Sequence, residues 1–160
     1  MTEIKMIGYF EIGIYQSKTP VNLGTLWRSA YQLGASSIFI IGNRFPLKYV
    51  NAQTTDILHT YKHIPLRQYT DFKHFLSSKP IDCSLIGIEI TGCSLTTYKH
   101  PERAVYILGS EDKGLPSEIL EQCDYTLGLK SVRTESYNVA IAGSIVMYHR
   151  QFLSKGINND

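Results

Sequence analysis

The sequence is short of cysteine, of charge and of long hydrophobic runs, and each shortage removes a class of function. Three cysteines, Cys83, Cys93 and Cys123, occur in 160 residues. Their odd number and the lack of any CxxC spacing argue against a disulfide framework and a zinc site, and fit free thiols in a reducing compartment. No window approaches the roughly 18 uninterrupted apolar residues of a membrane-spanning helix. Met1 to Lys5 lacks the charged-then-apolar profile of a signal peptide, so a cytoplasmic chain with no membrane partner is expected. Charged residues make up 19% of the chain and leave a formal net charge of +2. So mild a balance neither requires nor excludes nucleic acid, because a local basic patch is enough. The histidines include an i, i+4 pair, His59 and His63, but no HExxH surrounds it and Ile64-Pro65 follows at once. A surface pair is expected there, and no metal. No GxGxxG follows a strand, which argues against a Rossmann dinucleotide site.

What is present is globular. With 43% hydrophobic residues, the chain reads as a single domain, 1–160, large enough to bury roughly 70% of its unfolded surface without staples. Met6 to Tyr15 reads as a first strand. Asn22 is a good N-cap for a helix to about Leu33, with Leu23, Leu26, Trp27, Ala30 and Leu33 on one face and Arg28 off that stripe. Locally, Asn22 is a cap or a site residue, and Arg28 a solvated or a site residue. Further strands are expected at Ser36 to Ile41, near His63 to Leu66, at Cys83 to Glu89, Arg103 to Leu108 and Asp124 to Leu129. Helices are expected at about Asp71 to Ser77, Pro116 to Gln122 and Ser136 to Leu153. Strands that alternate with helices and are apolar throughout indicate an α/β protein with a mainly parallel sheet and helices on both faces. Between Arg44 and Tyr69, the basic residues Arg44, Lys48, Lys62 and Arg67 interleave with Tyr49, Tyr61 and Tyr69. They form either a stacking surface for RNA or an ordinary charged surface with half-buried tyrosines.

The chain is organised around Val105-Tyr-Ile-Leu-Gly-Ser-Glu-Asp-Lys-Gly-Leu-Pro116, a buried strand that breaks at Gly109 into a polar loop. A helix can begin at Pro116, since the first helical position needs no N–H. Loop amides thus lie at the carboxyl end of a strand, where open α/β sheets bind ligands. Gly109 and Gly114 have P-loop spacing, but Leu115-Pro116 stands where Lys-Ser/Thr should be, and nothing could reach the terminal phosphates. Alone, the loop is either a ligand site or a well-made strand-to-helix connection.

Three blocks together say more. Pro20-Val-Asn-Leu-Gly-Thr-Leu-Trp-Arg-Ser-Ala30, Ile107-Leu-Gly-Ser-Glu-Asp-Lys-Gly-Leu115 and Ser136-Tyr-Asn-Val-Ala-Ile-Ala142 resemble, in order, the three motifs of the SpoU/TrmH family of SPOUT RNA methyltransferases. Two positions depart from the family pattern: Tyr137 replaces a usual Leu, and Leu129-Lys130 stands where Ile-Pro is common. The resemblance implies a sheet with a C-terminal trefoil knot, which general topology rules would never suggest, and a homodimer built on it. It implies methyl transfer from S-adenosylmethionine to an RNA ribose 2′-hydroxyl, with tRNA favoured over rRNA. Arg28, Asn22, Glu111 and Asn138 then match the catalytic positions. Leu108, Gly109, Leu127, Leu129, Ser136 and Tyr137 match the cofactor pocket, contacted largely through backbone. Ser136 suits a helix cap by its type alone, whereas Asn138 has less local justification and is the better site candidate. Two rivals stand beside this reading: a base target, as in the TrmD-like branch, and a catalytically idle RNA-binding dimer.

Overall fold

The computed structural model describes residues 8–49, 63–133 and 136–154. His59, Tyr61 and Lys62 lie outside the described residues, as does the start of the predicted first strand. The elements follow in the order β1 (Tyr9–Ser17), α1 (Pro20–Gln32), β2 (Ser37–Asn43), a short 3₁₀ turn, β3 (Leu66–Tyr69) and α2 (Phe72–Ser78). Then come β4 (Ser84–Ser94), a second 3₁₀ turn, β5 (Arg103–Leu108), α3 (Ser117–Leu120), β6 (Tyr125–Gly128), α4 (Val139–Tyr148) and a π-helical turn, His149–Leu153. The six strands form one sheet in the order β3-β2-β1-β5-β4-β6, and every pairing is parallel.

The strands read as uninterrupted apolar runs because both faces of the sheet are covered. Side chains alternate between faces. Phe10, Ile12, Ile14, Ile38, Ile40, Ile86, Tyr106 and Leu108 pack with Leu23, Leu26 and Trp27 of α1 and Val139, Val146 and Met147 of α4. Phe39, Ile41, Leu85, Val105 and Ile107 pack on the other face with Phe75 of α2 and Ile119 of α3.

Both long helices begin elsewhere than their sequence predicts. Thr19, not Asn22, caps α1: its hydroxyl accepts from the Asn22 N–H at 3.4 Å, and Pro20 takes the first helical position. Proline needs no N–H partner there, which moves the cap upstream. Asn138, not Ser136, caps α4, its Oδ1 accepting from Ala140 N at 2.9 Å and Ile141 N at 3.2 Å. Strand β4 overruns its predicted end at Glu89 by five residues. Past a register shift between Ile88 and Cys93 it pairs again with β6, Cys93 opposite Leu127 and Ser94 opposite Gly128.

Candidate functional site

The chain leaves β1 towards one edge of the sheet and β5 towards the other, so the loops after these neighbouring strands flank a topological switch point, where such sheets bind ligands. Two glycines shape the loop after β5. A Cβ on Gly109 would stand 2.2 Å from the Gly114 carbonyl carbon, so only glycine allows the loop to fold back on itself. Gly114 turns it at φ +65°, a conformation glycine adopts without penalty. The turn is closed by Gly114 N donating to Ser110 O at 3.0 Å. From the side, Leu115 N donates to Glu89 Oε2 at 3.3 Å. Arg44 grips the loop's outer limb, its guanidinium donating to both Asp112 oxygens at 3.1 and 2.7 Å. These bonds hold the Asp112 carboxyl well below the usual carboxylate range.

At the rim of this loop the three motif blocks meet in one bonded chain. Asn138 Nδ2 donates to Asn22 Oδ1 at 3.0 Å, and Asn22 Nδ2 donates to Glu111 Oε1 at 3.0 Å. Glu111 Oε2 accepts from Lys18 N at 2.9 Å. The displaced helix caps explain how this is possible. With Thr19 as cap, the Asn22 side chain is released from its own helix, and Asn138 uses its oxygen on α4 and its amide on Asn22. Each amide's donor and acceptor ends are thus both engaged.

Behind the rim lies a cavity of about 760 Å³ between the carboxyl ends of β4, β5 and β6 and the start of α4. Leu108, Gly109, Glu111, Leu129, Ser136 and Tyr137 line it. Leu127 does not: it is wholly buried in the core beneath the α1–α4 face, because its side chain takes the inward position of β6. Arg28 is half-buried on α1 and is not among the lining residues. The two departures from the family pattern touch each other, the Tyr137 hydroxyl donating to the Lys130 carbonyl at 2.7 Å.

The family resemblance implies a cofactor held by the region after the Cys83–Glu89 strand, the loop after β5 and Leu127 to Asn138, and the cavity draws lining from all three. Glu89, Gly92, Lys113 and Arg133, which also line it, were not singled out by sequence reasoning. Glu89 alone left a trace, as a charged residue ending an apolar strand. The basic, tyrosine-bearing segment does not form one surface among the described residues. Arg44 is at the cavity rim, whereas Arg67 turns to Glu11 at 3.5 Å, near the opposite end of β1. Tyr69 packs edge-on against Phe39 and Phe75.

A second, almost wholly apolar groove of about 550 Å³ runs along α1 and α4, lined by Leu33, Leu95, Ile141, Ile145, Tyr148 and Leu153 among others. Of these Ile141, Tyr148 and Leu153 are about half exposed, and Phe152 adds to the patch.

Residues 9–148 match the model of the SpoU rRNA Methylase family. The mouse tRNA (guanosine(18)-2'-O)-methyltransferase TARBP1 is 28% identical over 144 residues, which are 84% of this chain and 9% of that protein. An AdoMet-bound rRNA methyltransferase from Sinorhizobium meliloti superposes with a TM-score of 0.76 at 25% identity, over 96% of this chain and 60% of that one. A structure described as giving insights into the 2-OH methylation of C/U34 on tRNA superposes with a TM-score of 0.82 at 24% identity, over 93% of this chain and 92% of that one. The chain thus spans less than two thirds of the mouse and Sinorhizobium proteins it matches.

Proposed function

Because the chain belongs to the SpoU methylase family, we propose that it transfers the methyl group of S-adenosylmethionine to a ribose 2′-hydroxyl of RNA, with tRNA the favoured substrate. One observation carries the reading: Asn22, Glu111 and Asn138, far apart in sequence, meet in one hydrogen-bonded chain at the rim of a cavity. The residues present fit the cofactor. The cavity is of a size that holds small ligands, and Gly109, Gly114 and Gly128 bring backbone groups to its wall without side chains in the way. Gly109, Leu129 and Ser136 would hold the cofactor there, with Leu108 and Tyr137 as walls and Leu127 as support from below.

When bound, the cofactor supplies an already activated methyl group, so the protein's task is to position and activate a poor nucleophile. Glu111 fixes Asn22, and Asn138 fixes Asn22 from its other end, which presents a rigid polar rim to the RNA. Arg28 orients the 2′-hydroxyl or its neighbouring phosphate and stabilises developing negative charge on that oxygen, a role suited to a group that stays protonated. It does so from a second copy. The exposed apolar groove along α1 and α4 supports a homodimer on that face, with Arg28 of one copy serving the cavity of the other. The knot implied by the resemblance belongs to the same proposal.

The test is methyl transfer from labelled S-adenosylmethionine to bulk unmodified tRNA and rRNA, digested to nucleosides, with Arg28→Ala in parallel. A labelled 2′-O-methylnucleoside that disappears with Arg28→Ala is expected. A labelled base would move the protein to the TrmD-like branch, and no label without cofactor binding would make it an idle RNA-binding dimer.

A further inference from the structure

Glu89 belongs to none of the three motifs, yet it lines the cavity from the middle of β4. Its oxygens each take one backbone donor: Oε1 accepts from Ile90 N at 2.9 Å and Oε2 from Leu115 N at 3.3 Å. Each carboxylate oxygen has a second lone pair, so both keep acceptor capacity. Neither of these donors carries charge. The other two carboxylates of the cavity are engaged differently. Asp112 faces Arg44 at 2.7 Å and Lys18 at 4.0 Å. Glu111 is turned to Asn22 and the Lys18 backbone. None of the ion pairs among the described residues involves Glu89. Among the described residues two carboxylates of the cavity thus have no paired cation in these ion pairs, Glu89 and Glu111. Glu111 is tied into the rim by Asn22, whereas Glu89 stands in the wall against the turn at Gly114, where a Cβ would come within 2.9 Å of Oε2.

We propose that Glu89 is a binding residue for the sulfonium of S-adenosylmethionine, and that its charge makes the cavity prefer the methyl donor to the demethylated product. The proposal rests on the reading that this cavity holds the cofactor. Donor and product differ in one methyl group and one positive charge, so a negative charge in the wall acts on the donor alone. Over a few ångströms, in surroundings less polar than water, such an attraction supports a preference of about tenfold or more. The competing role for Glu89 is mechanical. By accepting from Leu115 N it pins the loop after β5, and that role affects donor and product equally.

Calorimetric titration of S-adenosylmethionine and S-adenosylhomocysteine into the unaltered protein, Glu89→Gln and Glu89→Asp separates the two. Thermal melts of all three proteins check the fold. Glu89→Gln keeps the shape and removes the charge. It is expected to weaken donor binding about tenfold and product binding less than about twofold, with Glu89→Asp retaining most of the discrimination. Equal losses for both ligands, or no loss for either, overturn the proposal. If the unaltered protein binds neither ligand, the cofactor reading itself falls, and this proposal with it.

Discussion

One asparagine side chain closes both helix α4 and the bonded chain at the cavity rim. Asn138 accepts from two helix N–H groups and donates to Asn22, so its two roles separate by substitution. Asn138→Ala loses the cap and should lower stability by about 1 kcal/mol in denaturant unfolding. Asn138→Ser keeps a capping oxygen and has no amide to reach Asn22. It should unfold like the unaltered protein yet lose methyl transfer as severely as Asn138→Ala. An active Asn138→Ser protein would remove Asn22–Asn138 from the mechanism. Gly109 is the second position where one atom decides. A methyl group there would meet the Gly114 carbonyl carbon at 2.2 Å, and backbone has no rotamer by which to yield. Gly109→Ala should abolish cofactor binding by calorimetry while the far sheet edge, β3-β2, keeps its amide protection in hydrogen exchange.

At the scale of elements, the end of α4 bears on the pH range of the fold. The π-helical turn places the buried Arg150 over Phe10, 4.9 Å from its ring centre, and its guanidinium donates to the Pro101 and Glu102 carbonyls. Beside it His100 bonds Tyr106 Oη at 2.6 Å and His149 at 2.9 Å. Burial, then the neighbouring His149 and Arg150, pushes His100 down to about 3, and burial lowers His149 as well. A histidine with a depressed folded pKa takes up its proton first in the unfolded chain. Stability is therefore full above the unfolded value near 6.5 and is lost as pH falls towards the folded one. Unfolding free energy should drop by about 1–2 kcal/mol between pH 6.5 and 5, and His100→Phe should flatten that slope. An unchanged slope would place the acid sensitivity elsewhere.

Much of this architecture was legible in the sequence, and the exceptions have causes. The span of β5 could be read residue for residue from Arg103 to Leu108 because its apolar run is bounded by a charge and a glycine. The ends of β4 and the caps of α1 and α4 could not. The extension of β4 depends on pairing with β6, about 35 residues on, while Pro20 moved the α1 cap upstream to Thr19 and the α4 cap fell on Asn138 rather than Ser136. The bonded rim is the clearest case. Asn22 lies 89 residues from Glu111 and 116 from Asn138, so no local pattern joins them, and only the family resemblance placed all three in one site. The same resemblance set Leu127 in the cavity, where strand alternation turns it into the core instead.

For the whole molecule, the apolar face along α1 and α4 and the position of Arg28 outside its own chain's cavity support the proposed homodimer. A charge at the centre of that face should dissolve it. Ile141→Glu is expected to give a mass near 18.1 kDa by light scattering, against twice that for the unaltered chain, and to lose methyl transfer while still folding. The central claim is that one copy supplies the cofactor cavity and the other supplies Arg28. The most direct measurement is formation of 2′-O-methylnucleosides by a mixture of two inactive proteins, Arg28→Ala and Gly109→Ala, after their subunits have exchanged. Mixed dimers hold one complete site, so random exchange should restore about a quarter of the unaltered activity. A mixture as inactive as its components would contradict the claim.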